Sequence, residues 1–488
     1  MARTTDRAEP ALTAASIAAH RFGLGEAQLG VVGSDARGWL LAQIGPADPQ
    51  RGARLPTLGD GLRSHQLFQQ TQRRRREMAE PAMVGDMAGA ATDTRSGEQQ
   101  FADHFREHVQ ADQRAHLATA ATTTRPFAER LALFWANHFT VSLAKANTRA
   151  LVGAFERDAI RPHIAGSFET LLKAAVTHGT MLRYLDNEQS AGPQSRVAQV
   201  RARRAPADGD GRPRVTGLNE NLAREVLELH TLGAASRAYT QADVTAFAAV
   251  LTGWRLPVRA ASDSPAADDV VAHFDRAWHE PGPKQLLGKT YPEGAAALDA
   301  VLHDLVRHPA TARFIALKLA RHFVADAPPP ALVERLAQAF QRSEGDLPTV
   351  YRELIAAPES WQETPAKLKT PAEFVVSTAR LLGQGEQPFV RSVDGGIGTM
   401  GQRIQAAPSP AGWPDRAEDW LGPDAVWKRI EWATRVAERL GRQVDARALA
   451  RASLGPRLSE ATATQVERAA DGPQALALLL MSPDFQRR

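Results

Sequence analysis

Glu225 and Glu228 stand three residues apart in Asn219-Glu220-Asn221-Leu222-Ala223-Arg224-Glu225-Val226-Leu227-Glu228-Leu229-His230. Read as a helix at about 100° per residue, this stretch puts Leu218, Leu222, Leu229 and Leu232 on one face. Glu225 then projects from the middle of that face, with Asn221 and Glu228 along its flank. A carboxylate facing a core must be paired, protonated or metal-bound, because a bare buried charge is very costly. Two carboxylates at this spacing can share a divalent metal ion, or one can stay protonated because both do not easily ionise together. His230 turns to another face on this winding. The Glu-x-x-His pair of di-iron bundles is therefore absent, and no complete two-metal ligand set is visible.

His138 is the histidine that can oppose them. Leu131, Phe134, Trp135 and His138 are spaced i, i+3, i+4, i+7, one face of a helix, so the imidazole points inward. It is either a core histidine bonded to backbone or a carboxylate, or a metal ligand or general base facing Glu225 and Glu228. The expected site is thus Glu225, Glu228 and His138, with Asn221, Arg224, Asp186, Asn187, His279 and Lys284 around it. Asp186 and Asn187 close a helix ahead of the Asn219 stretch. His279 and Lys284 belong to Trp278-His279-Glu280-Pro281-Gly282-Pro283-Lys284, read as an exposed loop. The competing reading makes the acids structural, with Arg224 or another arginine neutralising them.

Helices must carry these residues. Ala, Leu, Glu and Arg dominate and alternating β-branched runs are scarce, which favours an all-α fold. The expectation is a large orthogonal multi-helix bundle with long irregular loops and at most a minor β-hairpin. Residues 1–72 form an N-terminal helical segment and 73–100 a flexible basic excursion starting at Arg73-Arg74-Arg75-Arg76. Residues 101–254 are the helical core carrying the acidic helix, interrupted by a disordered Arg-rich loop at 189–217. Residues 255–294 are irregular, 295–382 helical, 383–424 irregular and rich in Pro and Gly, and 425–488 helical, all in one body. Within these, Ser167–Arg183 reads as one helix, and Thr240 with Asp243 makes a capping-box start.

Composition excludes several functions. The 488 residues contain no cysteine, which removes disulfides, zinc-thiolate sites and cysteine nucleophiles. The charge of +4 reflects 59 basic against 55 acidic side chains, close to balance. The two Arg-rich stretches hold no aromatic residue for base stacking, so nucleic-acid binding is not expected. No run approaches the ~18 apolar residues of a membrane span, and no apolar signal core follows Met1, so the cytoplasm is the expected compartment. Phosphate-binding loops, nucleophile elbows and His-Glu-x-x-His are all absent.

Taken in order, several short stretches resemble one known family. They are His20-Arg21-Phe22-Gly23-Leu24-Gly25, Phe134-Trp135-Ala136-Asn137-His138-Phe139, Met181-Leu182-Arg183-Tyr184-Leu185-Asp186-Asn187 and Asn219 to Glu225. Tyr239-Thr240-Gln241-Ala242-Asp243-Val244, Leu251-Thr252-Gly253-Trp254, Trp278-His279-Glu280 with Lys284, Pro410-Ala411-Gly412-Trp413-Pro414 and Ser482-Pro483-Asp484-Phe485-Gln486 follow. The set is similar to the bacterial domain-of-unknown-function family numbered 1800, with Glu280 where Asp is usual. The resemblance implies a large helical protein with no established activity to carry over. It also implies a partner, an exported phosphatase- or sulfatase-like protein encoded nearby.

Overall fold

Cap chemistry starts most helices where side chains can satisfy the free N–H groups of the first turn. Thr240 and Asp243 form the expected capping box ahead of Gln241–Leu251, and Thr370 and Glu373 form another ahead of Pro371–Leu381. Pro occupies the first turn of Pro126–His138, Pro309–Phe323, Pro330–Arg342 and Pro423–Leu440, where its missing N–H costs nothing. The computed structural model describes residues 5–79, 91–204, 217–256, 271–385 and 392–488. The fold is all-α, with only two small antiparallel pairs among the described residues: Trp254–Arg255 with His273–Phe274, and Lys284–Leu286 with Lys289–Tyr291. No helix among the described residues is long and apolar enough to cross a membrane.

Three expectations are corrected locally. The basic run Arg73–Arg76 lies on a helix, Leu58–Ala79, and helix resumes from Ala91 to Thr122. Its long charged side chains are good helix formers, a point obscured by reading the charge as a loop signal; residues 80–90 lie outside the described part. The 189–217 stretch contains a helix, Arg196–Arg204, where Arg201 lies over the Trp278 ring at 4.7 Å; residues 205–216 lie outside the described part. The predicted 167–183 helix is two helices, Phe168–Thr177 and Gly179–Tyr184, because His178 turns extended and its ring caps Thr180. The irregular segments at 255–294 and 383–424 also include undescribed residues, 257–270 and 386–391.

Two large apolar clusters hold most of the helices, and a small third one joins Leu58 and Leu62 to Leu151, Ala154 and Leu256. The larger gathers Phe22, Phe127, Trp135, Phe168, Phe323 and Tyr351 with aliphatic residues of the helices between 126 and 356. Trp135 donates from its indole to the Tyr351 hydroxyl at 2.6 Å, and that hydroxyl donates to the Ile164 carbonyl. The second cluster packs Phe374, Trp432, Leu476 and Phe485 from the C-terminal helices against Leu117 and Ala120. The chain's two ends meet: the His20 ring lies 2.8 Å from the Ser453 carbonyl, and Ser16 donates to that of Leu454.

Among the described residues three helices contain a π turn, at Ala18–Phe22, Glu156–Ile160 and Val226–His230. Such turns widen the helix to i→i+5 bonding. Each holds ionisable side chains: His20 and Arg21, Glu156, and Glu228 with His230.

Candidate functional site

The buried face of the acidic helix is not the one its leucines alone suggest. Regular helix ends at Glu225, and Val226, Leu227 and His230 are buried beyond it. Leu222, Ala223, Val226, Leu227 and His230 form one buried face at ordinary helical spacing, with His230 near its middle and Glu225 to its side. Glu225 and Glu228 are half-buried and Asn221 is exposed. Arg224 bonds Glu220 at 3.2 Å and Glu228 at 3.4 Å, which neutralises Glu228 at the helix surface but is not the buried network around both Glu225 and Glu228 that the competing reading expects. Burial, then the charge of Glu228, raises the Glu225 carboxyl above its usual range.

His138 lies fully inside, as its spacing predicts. Its Nε2 donates to the His230 carbonyl at 3.1 Å, while Nδ1 has no partner. The two imidazoles stand 6.0 Å apart, with Phe139 edge-on to His138 at 4.5 Å. Burial, and secondarily the charge of Lys318, keeps both neutral, His230 down to about 3.

The other predicted residues build the frame. Asp186 has φ +57° and pairs with Lys145 at 2.6 Å. Asn187 donates to the Leu251 and Trp254 carbonyls, tying that turn to the Gln241–Leu251 helix. His279, expected exposed, is only 3% exposed. Its Nδ1 donates to the Thr252 carbonyl at 2.9 Å and Nε2 accepts from Gly294 N. Lys284 crosses to the Glu280 and Gly282 carbonyls and to His279. Together these two pin the small hairpin to the end of a helix. Among the described residues no three His, Asp or Glu side chains stand together as a metal set.

Of all the predicted site residues, His138 alone borders a cavity of about 550 Å³ that lies between the two large apolar clusters. Leu133, Phe134, Val141, Val376 and Ile404 supply much of its apolar wall. Its polar side is carried by Lys318 and His322, which are four apart on the Pro309–Phe323 helix and so share a face. The His322 Nδ1 lies 3.2 Å from Asp415 Oδ2, and Lys367 lies 3.1 Å from the other carboxylate oxygen. Burial alone raises the Asp415 carboxyl, but His322, Lys367 and Arg488 outweigh that and hold it below the ordinary range. Burial lowers His322 despite Asp415. The pair is therefore a carboxylate and a neutral imidazole whose Nδ1–H donates, which leaves Nε2 as a bare acceptor. That Nε2 is buried without a partner. Deeper in the wall, Glu373 receives Arg130 and lies 2.9 Å from Arg488. His116 pairs with Glu156 at 3.0 Å.

The model of a family of unknown function, DUF1800, matches residues 17–487. The chain belongs to the DUF1800 family. No curated protein and no solved structure matches it. In this DUF1800 chain, two of the stretches that carry the resemblance are joined directly. Asn137 donates from Nδ2 to the Trp413 carbonyl at 3.0 Å and accepts from Trp413 N at 2.8 Å. Asn137 thus fixes Trp413-Pro414 and, through them, Asp415. Sequence reasoning missed Lys318, His322 and Asp415. One signal was present, since Ile315, Lys318, Leu319 and His322 repeat the i, i+3, i+4, i+7 spacing that marked His138.

Proposed function

We propose that the chain is an enzyme using acid–base chemistry in this cavity. His322 is the proton acceptor, Asp415 the carboxylate that orients it, and His138 a neutral wall group. The observation that carries this reading is the His322–Asp415 pair, 3.2 Å apart, with the second imidazole nitrogen unpartnered on a cavity-lining residue. A carboxylate that fixes one imidazole tautomer leaves the other nitrogen ready to take a proton. Glu225 and Glu228 do not share this role, because Arg224 and the helix surface hold them away from the cavity lining. A metal-assisted route has less support, since no three ligating side chains are gathered among the described residues.

The test is a panel of chromogenic ester, phosphoester, sulfate-ester and carbonyl substrates. His322→Gln and Asp415→Asn should each lower kcat/KM by about 10²–10⁴-fold. His322→Gln should unfold near wild type, whereas Asp415→Asn leaves buried Lys367 paired with Asp326 alone among the described residues and should also lose stability. Activity should hold through the ordinary imidazole range near about 6.5 and fall only at lower pH, because burial lowers the proton affinity of His322. Full turnover in His322→Gln would sink the proposal.

A second reading, binding to a phosphatase- or sulfatase-like neighbour, draws support from an exposed apolar strip. Trp427, 61% exposed, and Ile430 stand one turn apart on Pro423–Leu440, with Leu421 just ahead. Co-purification of the two proteins, lost in Trp427→Arg, is the expected result; absence of any complex with the wild-type chain rejects it.

A further inference from the structure

Lys318 is a cavity cation that has no ion-pair partner among the described residues, although the charge of Asp415 reaches it from further off. It borders the cavity four residues before His322. Among the described residues no Asp or Glu lies in ion-pair range of its amine and no hydrogen bond reaches it; the Phe314 ring is 5.6 Å away. The neighbouring cations of the cavity are answered differently. Arg130 meets Glu373, Arg416 meets Glu418 at 3.1 Å, and Arg321 donates to the Asp326 carbonyl. Arg403 is exposed to solvent. An ammonium set inside a cavity without an ion-pair partner is less well solvated than one in bulk water, and an anion seated against it relieves that cost.

We propose that Lys318 seats the carboxylate of an organic monoanion whose apolar body fills the cavity. Such carboxylates would then be the substrate class of the His322–Asp415 site, a second step that rests on the catalytic reading above. One unanswered positive charge matches one negative charge. A dianionic phosphate would bring surplus charge close to Asp415 and Glu373. The volume of about 550 Å³ suits a ligand of drug-like size, and Leu133, Phe134, Val141 and Ile404 offer it an apolar surface.

The groups around Lys318 define the pH dependence. Asp415 faces it from the loop after Trp413, and Arg321 from its own helix. His138 and His230 face it from the two elements packed alongside, and each feels its charge. Burial brings the amine down to about 8, with Asp415 partly offsetting this and Arg321 adding to it. Over pH 7–9 Asp415 stays ionised and the histidines stay neutral, so Lys318 is the group that titrates. Carboxylate affinity should therefore fall about tenfold from pH 7 to pH 9.

Calorimetric titration of the full chain with decanoate, decanol and inorganic phosphate tests this. Decanoate should bind, decanol should bind at least tenfold more weakly, and phosphate should not compete. Lys318→Met and Lys318→Gln should each weaken decanoate at least tenfold. His322→Gln should bind decanoate as wild type does, which separates this seat from the proton-transfer proposal: turnover can be lost with binding intact. Equal affinity for decanoate and decanol, tighter phosphate binding, no decanoate binding, or undiminished binding in the Lys318 variants would each overturn the assignment. If both variants fail to fold, the pH dependence and the decanol comparison on the wild-type chain decide it.

Discussion

His230 shows what burial does to a single titratable group. Neither ring nitrogen has a partner, and burial with the charge of Lys318 pushes its protonation down to about 3. The unfolded chain takes up this proton near pH 6.5, so acid favours unfolding. The contribution of His230 is complete above about 6.5 and lost progressively between 6.5 and 3, at about 1.4 kcal/mol per pH unit. His20, His138 and His322 shift in the same direction. His116 opposes them: burial lowers it, but Glu156 raises it further, so its contribution is present below 6.5 and lost as pH rises. Replacing His230 by Phe should therefore flatten the acid limb. Urea unfolding at pH 6.5 and pH 5 should show the variant gaining about 2 kcal/mol on wild type, and parallel curves would refute this. At this scale the sequence was legible where one apolar face stood out. The His138 spacing placed its ring inside, whereas the Glu225 assignment failed because it followed the leucines, while the buried face runs through Ala223, Val226, Leu227 and His230.

Elements place the site through local chemistry and one tight turn. Capping boxes such as Thr240–Asp243 are short-range signals, so helix starts were readable to within a few residues. The loop that brings in Asp415 was not, because it has no periodicity and its anchor, Asn137, lies 276 residues away from Trp413. Gly412 makes that approach possible. Its φ is +85°, and a Cβ there would stand 2.5 Å from the Asn137 carbonyl oxygen. Gly412→Ala should therefore cost at least about 1–3 kcal/mol and pull Asp415 away from His322. Thermal unfolding checks the first part, and loss of activity or of the His322 tautomer signal in nitrogen NMR checks the second. A variant with unchanged stability and an unchanged His322 signal would show that the turn does not position the carboxylate.

At the scale of the molecule, buried charge bridges the two apolar clusters. Glu373 starts a helix of the C-terminal cluster and holds Arg130 of the central one together with Arg488. Against the cost of burial, those arginines keep its carboxyl well below the ordinary range. Removing one partner from such a set leaves uncompensated charge, so Glu373→Ala should destabilise by about 3–5 kcal/mol. Denaturant midpoints would measure it, and a loss under about 1 kcal/mol would mean that water replaces the carboxylate. Helical content and the all-α class were evident from composition, but this long-range pairing could not be read, because nothing local in Arg130 names Glu373.

The contact between His20 and Ser453 spans 433 residues. A ribosome adding about 5–20 residues per second needs roughly 20–90 s to bridge that gap. Throughout that interval the first helix, Thr5–Ile17, and the turn after it wait without the Ser453–Leu454 segment that Ser16 and His20 finally hold. Newly made chains should thus depend on a chaperone for longer than their helical class would suggest, and slowing translation should lengthen that dependence.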